Sequence, residues 1–154
     1  MLSHEERFYV NLLGFSDFLI SLNEEYIKNG YEFIDTNYLL LLKIAIEKMD
    51  KVSLIKMYVD NSKDKWESVR LRDEKALKDT LSMIYSKIPI TIDSKFLTIL
   101  DAKDSTGKRI ISDADLNLAW DYITSLTKIA IKWCYQQDPS KEMNNLVRIW
   151  NIKL

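Results

Sequence analysis

The chain holds 154 residues, 47% hydrophobic and 29% charged, with 22 basic and 23 acidic side chains for a net charge of −1. That balance excludes a disordered chain. One Cys (Cys134) and one His (His4) exclude an internal disulfide and a Cys-based zinc site, and they remove most His-dependent catalysis. With only three Gly and two Pro, the turn-rich plan of a sandwich or barrel is out of reach and long helices are favoured.

Ser3-x-x-Glu6 has the spacing of a capping box and opens the first helix. Phe8, Leu12, Phe15, Leu19 and Leu22 follow at three- and four-residue steps, which places them on one face. Gly14 interrupts this helix at a cost of about 1 kcal/mol against Ala, and close approach of another helix is the ready explanation. Asn29-Gly30 supplies a left-handed stop. A second helix is expected from Asp35-Thr36 to about Met49. Leu39, Leu40, Leu42, Ile44 and Ile46 nearly surround it, so it reads as a central, buried helix.

Asp50 caps a third helix carrying Leu54, Ile55, Tyr58 and Val59, which Asn61-Ser62 ends. Asp64-x-x-Glu67 resembles a cap for a fourth helix, from Lys65 to about Lys87, with a kink near Arg72-Asp73 where the apolar stripe skips a turn. Pro89 stops it, and Ile90-Thr91-Ile92 forms an extended link without a strand to pair with. A short helix through Leu100 and a loop over 101–109 lead to Ser112-x-x-Asp115, the start of a long sixth helix to about Gln137. Its inward positions are Leu116, Trp120, Ile123, Thr127, Ala130, Ile131 and Cys134. Asp138-Pro139 reads as a cap followed by Pro at the first position of a last helix, which ends near Trp150. The expected fold is all-α: a single domain over 1–154, a bundle-like packing of six to seven helices with the second and sixth at its centre.

No apolar run reaches the length of about 18 residues that a membrane span needs, since Lys43 interrupts the longest one. The acidic N-terminus lacks the apolar stretch of a signal peptide, and neither end carries a lipidation motif. An intracellular, non-secreted protein without membrane partners is expected.

Catalytic and cofactor chemistry finds little purchase. Gly107-Lys108 lacks the first Gly, the hydroxyl and the preceding strand of a phosphate-binding loop. Asp101 and Asp104 do not match calcium-loop spacing. Asp73-Glu74 and Asp113/Asp115 sit where acids favour helix starts. His4, near the terminus, is expected in solvent, and Cys134 among core side chains. A non-enzymatic protein with no cofactor or metal is the expectation.

Charge is uneven along the chain, with net −5 over residues 1–50, +4 over 51–110 and zero over 111–154. Mixed-sign solvated helix faces explain most such runs, although acidic and basic segments can also meet between copies. In the basic middle, Lys65, Arg72, Lys75 and Lys78 could share one face of the fourth helix and contact nucleic-acid phosphates, against interleaved acids that repel them. The 17 aromatic residues include four Trp. Core packing is their commonest fate, and Trp120 and Trp133 share one broad face of the sixth helix. An exposed Trp66 or Trp150, with Ile152 beside the latter, would instead mark a partner site. A protein partner or self-association through Trp66, Trp150 and Ile152 is the leading expectation, with nucleic-acid binding as the alternative.

Trp66, Arg72-Asp73-Glu74, Phe96, Leu100 and Trp120-x-Tyr122-x-x-Ser125-Leu126-x-Lys128-Ile129 form a spaced pattern. The pattern resembles small uncharacterised helical proteins of large nucleocytoplasmic DNA viruses, with Ala76-Leu77 in place of an aromatic pair. The Lys- and Asn-rich composition points the same way, to an AT-rich genome. The resemblance implies a helical fold but no established activity; a virion-assembly or host-binding component is the expectation, drawn from the single His, the single Cys, the missing Gly-rich loop and the abundant aromatics. It transfers no functional residue.

Overall fold

The computed structural model describes residues 1–31 and 33–154. Among them the fold is all-α, with six longer helices, a five-residue α4 and no strand. In order these are α1 (His4–Lys28), α2 (Thr36–Glu47), α3 (Lys51–Ser62), α4 (Trp66–Arg70), α5 (Leu77–Tyr85), α6 (Asp113–Gln137) and α7 (Lys141–Ile149). Three single 3-10 turns punctuate them at Lys63–Lys65, Glu74–Ala76 and Phe96–Thr98.

Local chemistry sets most of these boundaries. Ser3 accepts from the Glu6 amide at 3.1 Å while Glu6 accepts from the Ser3 amide at 3.2 Å, so the capping box forms as expected. Asp35, Asp50 and Ser112 cap α2, α3 and α6 in the same way, each satisfying an amide that has no partner inside its helix. At α7 the reading is corrected: Ser140, not Asp138, is the cap, and Pro139 lies just outside the helix.

The antiparallel pair α1–α6 forms the centre, which corrects the expected centre of α2 and α6. Glu5 meets Trp133 at one end, the rings of Phe15 and Tyr122 lie 5.6 Å apart midway, and Tyr26 approaches Asp115 at the other. Gly14 makes the close approach possible, because a Cβ there would lie 3.3 Å from the edge of Tyr122. Together α1 and α6 bury Phe8, Leu12, Phe15, Leu19, Leu116, Trp120, Ile123 and Ala130, most of them almost wholly. Burying each of the larger side chains stabilises the fold by roughly 1.5–3 kcal/mol.

α3 packs across this pair through Phe8–Tyr58 ring contact at 5.3 Å and a 2.6 Å hydrogen bond between the Tyr58 and Thr127 hydroxyls. α2 lies mainly against α1 on its inner side, fastened by Lys43–Asp17 at 2.7 Å, and its Tyr38 ring meets Phe96. Two tyrosines, Tyr26 buried and Tyr38 half-buried, pin the irregular segments: the Tyr26 hydroxyl donates to the Ile99 carbonyl, and the Tyr38 hydroxyl donates to the Thr91 carbonyl.

The expected fourth helix is two helices. Arg72 has φ of 51°, in the left-handed region, and ends α4 before a 3-10 turn leads into α5. Asp64 makes no side-chain cap, because the preceding 3-10 turn already directs the chain into α4. The loop over 101–109 closes on itself: Asp104 accepts from the Thr106 and Lys108 amides and the Thr106 hydroxyl, and Arg109 pairs with Asp101 and Glu74. These bonds hold the Asp104 carboxyl below its ordinary pKa, with the Thr106 hydroxyl contributing most.

Candidate functional site

The residues expected to mark a partner surface are distributed otherwise. Trp66 and Trp150 are buried, at 1% and 4% exposure. The Trp66 indole donates to the Ser62 hydroxyl at 2.9 Å inside the α3–α4 corner. Trp150 closes the end of α7, and Ile152 is half-buried against the same core. Their apolar area is spent on internal packing, so none of the three forms an exposed anchor. Trp120 is likewise buried, while Trp133 is half-buried and donates its indole N–H to Glu5 at 2.9 Å.

The basic face also comes apart. Lys65 ends a 3-10 turn, Arg72 lies in the left-handed break, Lys75 sits in a second 3-10 turn, and Lys78 is in α5. No single helix presents them together. Arg72 is held by Asp121 at 2.7 Å, Arg70 by Glu67 and Lys63 by Glu142, whereas Lys65, Lys75 and Lys78 make no ion pair among the described residues. His4, expected in solvent, is half-buried, with Nδ1 enclosed and without a hydrogen-bond partner among the described residues. Cys134 is half-buried, and burial pushes its thiol up, away from the reactive thiolate form. No cluster of three or more His, Cys, Asp or Glu residues suited to a metal occurs among the described residues.

The surface that stands out is the outward face of α2. Leu39, Leu42 and Ile46 turn inward and are buried, whereas Leu40, Leu41 and Ile44 are 42%, 56% and 44% exposed. The same all-round apolar pattern suggested a buried helix, but α2 has a neighbour on one side only. Leu41, Ile44, Ala45 and Met49 share an apolar groove of about 390 Å³ with Pro89 and Ile90, which the extended link brings alongside. Three adjacent exposed aliphatic residues on one helix, bordering such a groove, have the character of a contact surface.

Charges frame this face asymmetrically. Glu47 lies toward Lys43, Asp50 caps α3, and Lys51 sits over the Tyr9 ring at 5.0 Å. Lys48 is exposed at the C-terminal end of α2, together with Glu47 and Asp50. Asp35 and Asp93 are exposed at the opposite end, where the Tyr38 hydroxyl accepts from the Asp93 amide at 2.8 Å.

Fold and site together define a class, an all-α bundle-like protein that, among the described residues, turns an apolar face of α2 outward. Compared with protein-family models, curated proteins and solved structures, the chain matches none.

Proposed function

We propose that this is a non-enzymatic helical assembly protein whose partner is a second copy of itself, joined through the outward face of α2. The observation that carries the reading is the exposure of Leu40, Leu41 and Ile44 beside the Pro89–Ile90 groove. Antiparallel pairing of two α2 helices about a two-fold axis sets Leu41 of each copy against Ile44 of the other. In this register Lys48 of each copy falls opposite Asn37 of the other and Asp50 opposite Asp35, so the apolar side chains rather than the charges carry the pairing. The proposal extends to setting: an intracellular assembly of the virion type.

Light scattering coupled to size exclusion, at tens of micromolar protein, reads this directly. The native chain is expected at dimer mass, and Ile44→Glu at monomer mass with unchanged helical circular dichroism. A native chain that elutes as a monomer over that range overturns the proposal.

A further inference from the structure

The N-terminal turns of α1, the C-terminal half of α6 and the segment after α7 line two adjoining open grooves of about 370 and 300 Å³. Arg7, Lys132 and Lys153 line both of them, and Lys128 lines the second. No carboxylate lies within 4.0 Å of any of these four cations among the described residues, in contrast to Arg70, Arg72 and Arg109. Glu5, the carboxylate beside His4, is engaged by the Trp133 indole. Four cations converging on one concave surface create a positive potential that favours an anion.

The two compartments differ in chemistry. In the first, the His4 and Tyr135 rings and Pro139 offer flat apolar surface, and the Gln136 amide can pair with the edge of a heterocycle. Burial, then Arg7 and Lys132, hold His4 below its ordinary pKa, so at neutral pH its ring is uncharged and suited to stacking. The second compartment is polar. Ser125 offers a hydroxyl there, and Asn11 donates its amide nitrogen to the Arg7 carbonyl, which leaves its own carbonyl free to accept from a sugar hydroxyl.

From this arrangement we infer that the groove binds a nucleoside phosphate, with the base in the Tyr135 compartment and the phosphates among Arg7, Lys128, Lys132 and Lys153. Both volumes lie at the small end of the usual range for ligand pockets, and the shared cationic wall joins the base site to the phosphate site. A free nucleotide and the end of a nucleic-acid strand present the same chemistry. This groove belongs to α1 and α6 and is independent of self-association through α2.

Isothermal titration at low ionic strength tests the inference with metal-free adenosine triphosphate, inorganic tripolyphosphate and a short oligothymidylate as probes. Adenosine triphosphate is expected to bind saturably and more tightly than tripolyphosphate. Its binding should weaken about tenfold in Lys132→Glu and about tenfold in Tyr135→Ala. Lys78→Glu on α5 should leave it unchanged, with folding of each variant checked by circular dichroism. Oligothymidylate binding that depends on Lys132 and Tyr135, without binding of the free nucleotide, supports the same site with a strand as its source. Absence of binding by both overturns the inference, as does tripolyphosphate binding as tightly as adenosine triphosphate or equal weakening by Lys132→Glu and Lys78→Glu.

Discussion

Asn23 is the polar residue on which the segment before α2 hangs. It is wholly buried, donates to the Ile34 carbonyl at 2.8 Å and accepts from the Ile34 amide at 3.2 Å. One side chain therefore satisfies both backbone groups of a buried residue in irregular chain, where no helix could do so. Asn23→Ala leaves both groups desolvated and unpaired. It is expected to cost about 3 kcal/mol, read from the urea midpoint. In sequence Asn23 is one more polar position on an amphipathic helix, and its partner eleven residues away exists only once the chain turns back on α1. Trp66 and Trp150 pose a similar problem at this scale. A Trp near a helix end has the same local pattern whether it anchors a partner or fills a corner, and only the fold's packing decides.

At the scale of elements, three helices end in the same motif with different residues at its left-handed position. After α1 the Gly30 amide bonds the Ile27 carbonyl and the Tyr31 amide bonds that of Tyr26; after α4 Arg72 bonds Val69 and Asp73 bonds Ser68; after α7 Asn151 bonds Arg148 and Ile152 bonds Val147. Gly30, Arg72 and Asn151 all have positive φ. Gly and Asn tolerate that conformation, which made the first stop legible as Asn29-Gly30, but Arg does not favour it. The break after α4 consequently showed only as a skipped turn in the apolar stripe. Arg72 offsets its strain in part through the exposed ion pair with Asp121, an interaction worth at most about 1 kcal/mol. Arg72→Gly is expected to be more stable than Arg72→Ala by about 1 kcal/mol, since both lose the pair and only Gly relieves the strain. Equal urea midpoints for the two variants would count against this account.

For the whole molecule, the most deeply buried titratable groups among the described residues are phenols. Burial pushes Tyr58 up to about 12 and raises Tyr26 and Tyr85 as well. Each remains protonated in the fold while an unfolded phenol ionises near 10. Above that value the unfolded chain binds fewer protons than the native one, so stability falls as pH rises. It is intact below about pH 10 and, for Tyr58, declines by about 2–3 kcal/mol through pH 12. Alkaline titration followed by circular dichroism and tyrosinate absorbance should show the buried phenolates appearing together with unfolding. Tyr58→Phe should lower stability near neutrality by about 1 kcal/mol, for the lost bond to Thr127, and flatten the alkaline slope.

Legible in the sequence alone were α1, α2, α3 and α6. Ser3, Asp35, Asp50 and Ser112 cap where their spacing says, and Gly30 stops α1, because capping and 3.6-residue periodicity act within a few residues of chain. Tertiary structure decided which helices are central and which faces are left open. An all-round apolar helix such as α2 looks the same in sequence whether neighbours cover it on every side or, as here, on one. It also decided where charge concentrates. In the basic middle Lys63, Arg70 and Arg72 are paired with Glu142, Glu67 and Asp121, while the antiparallel fold of α1 on α6 and the return of the chain after α7 gather Arg7, Lys128, Lys132 and Lys153 from segments with no net positive charge. Electrostatic potential depends on distance through space, and distance through space follows from the order in which helices pack.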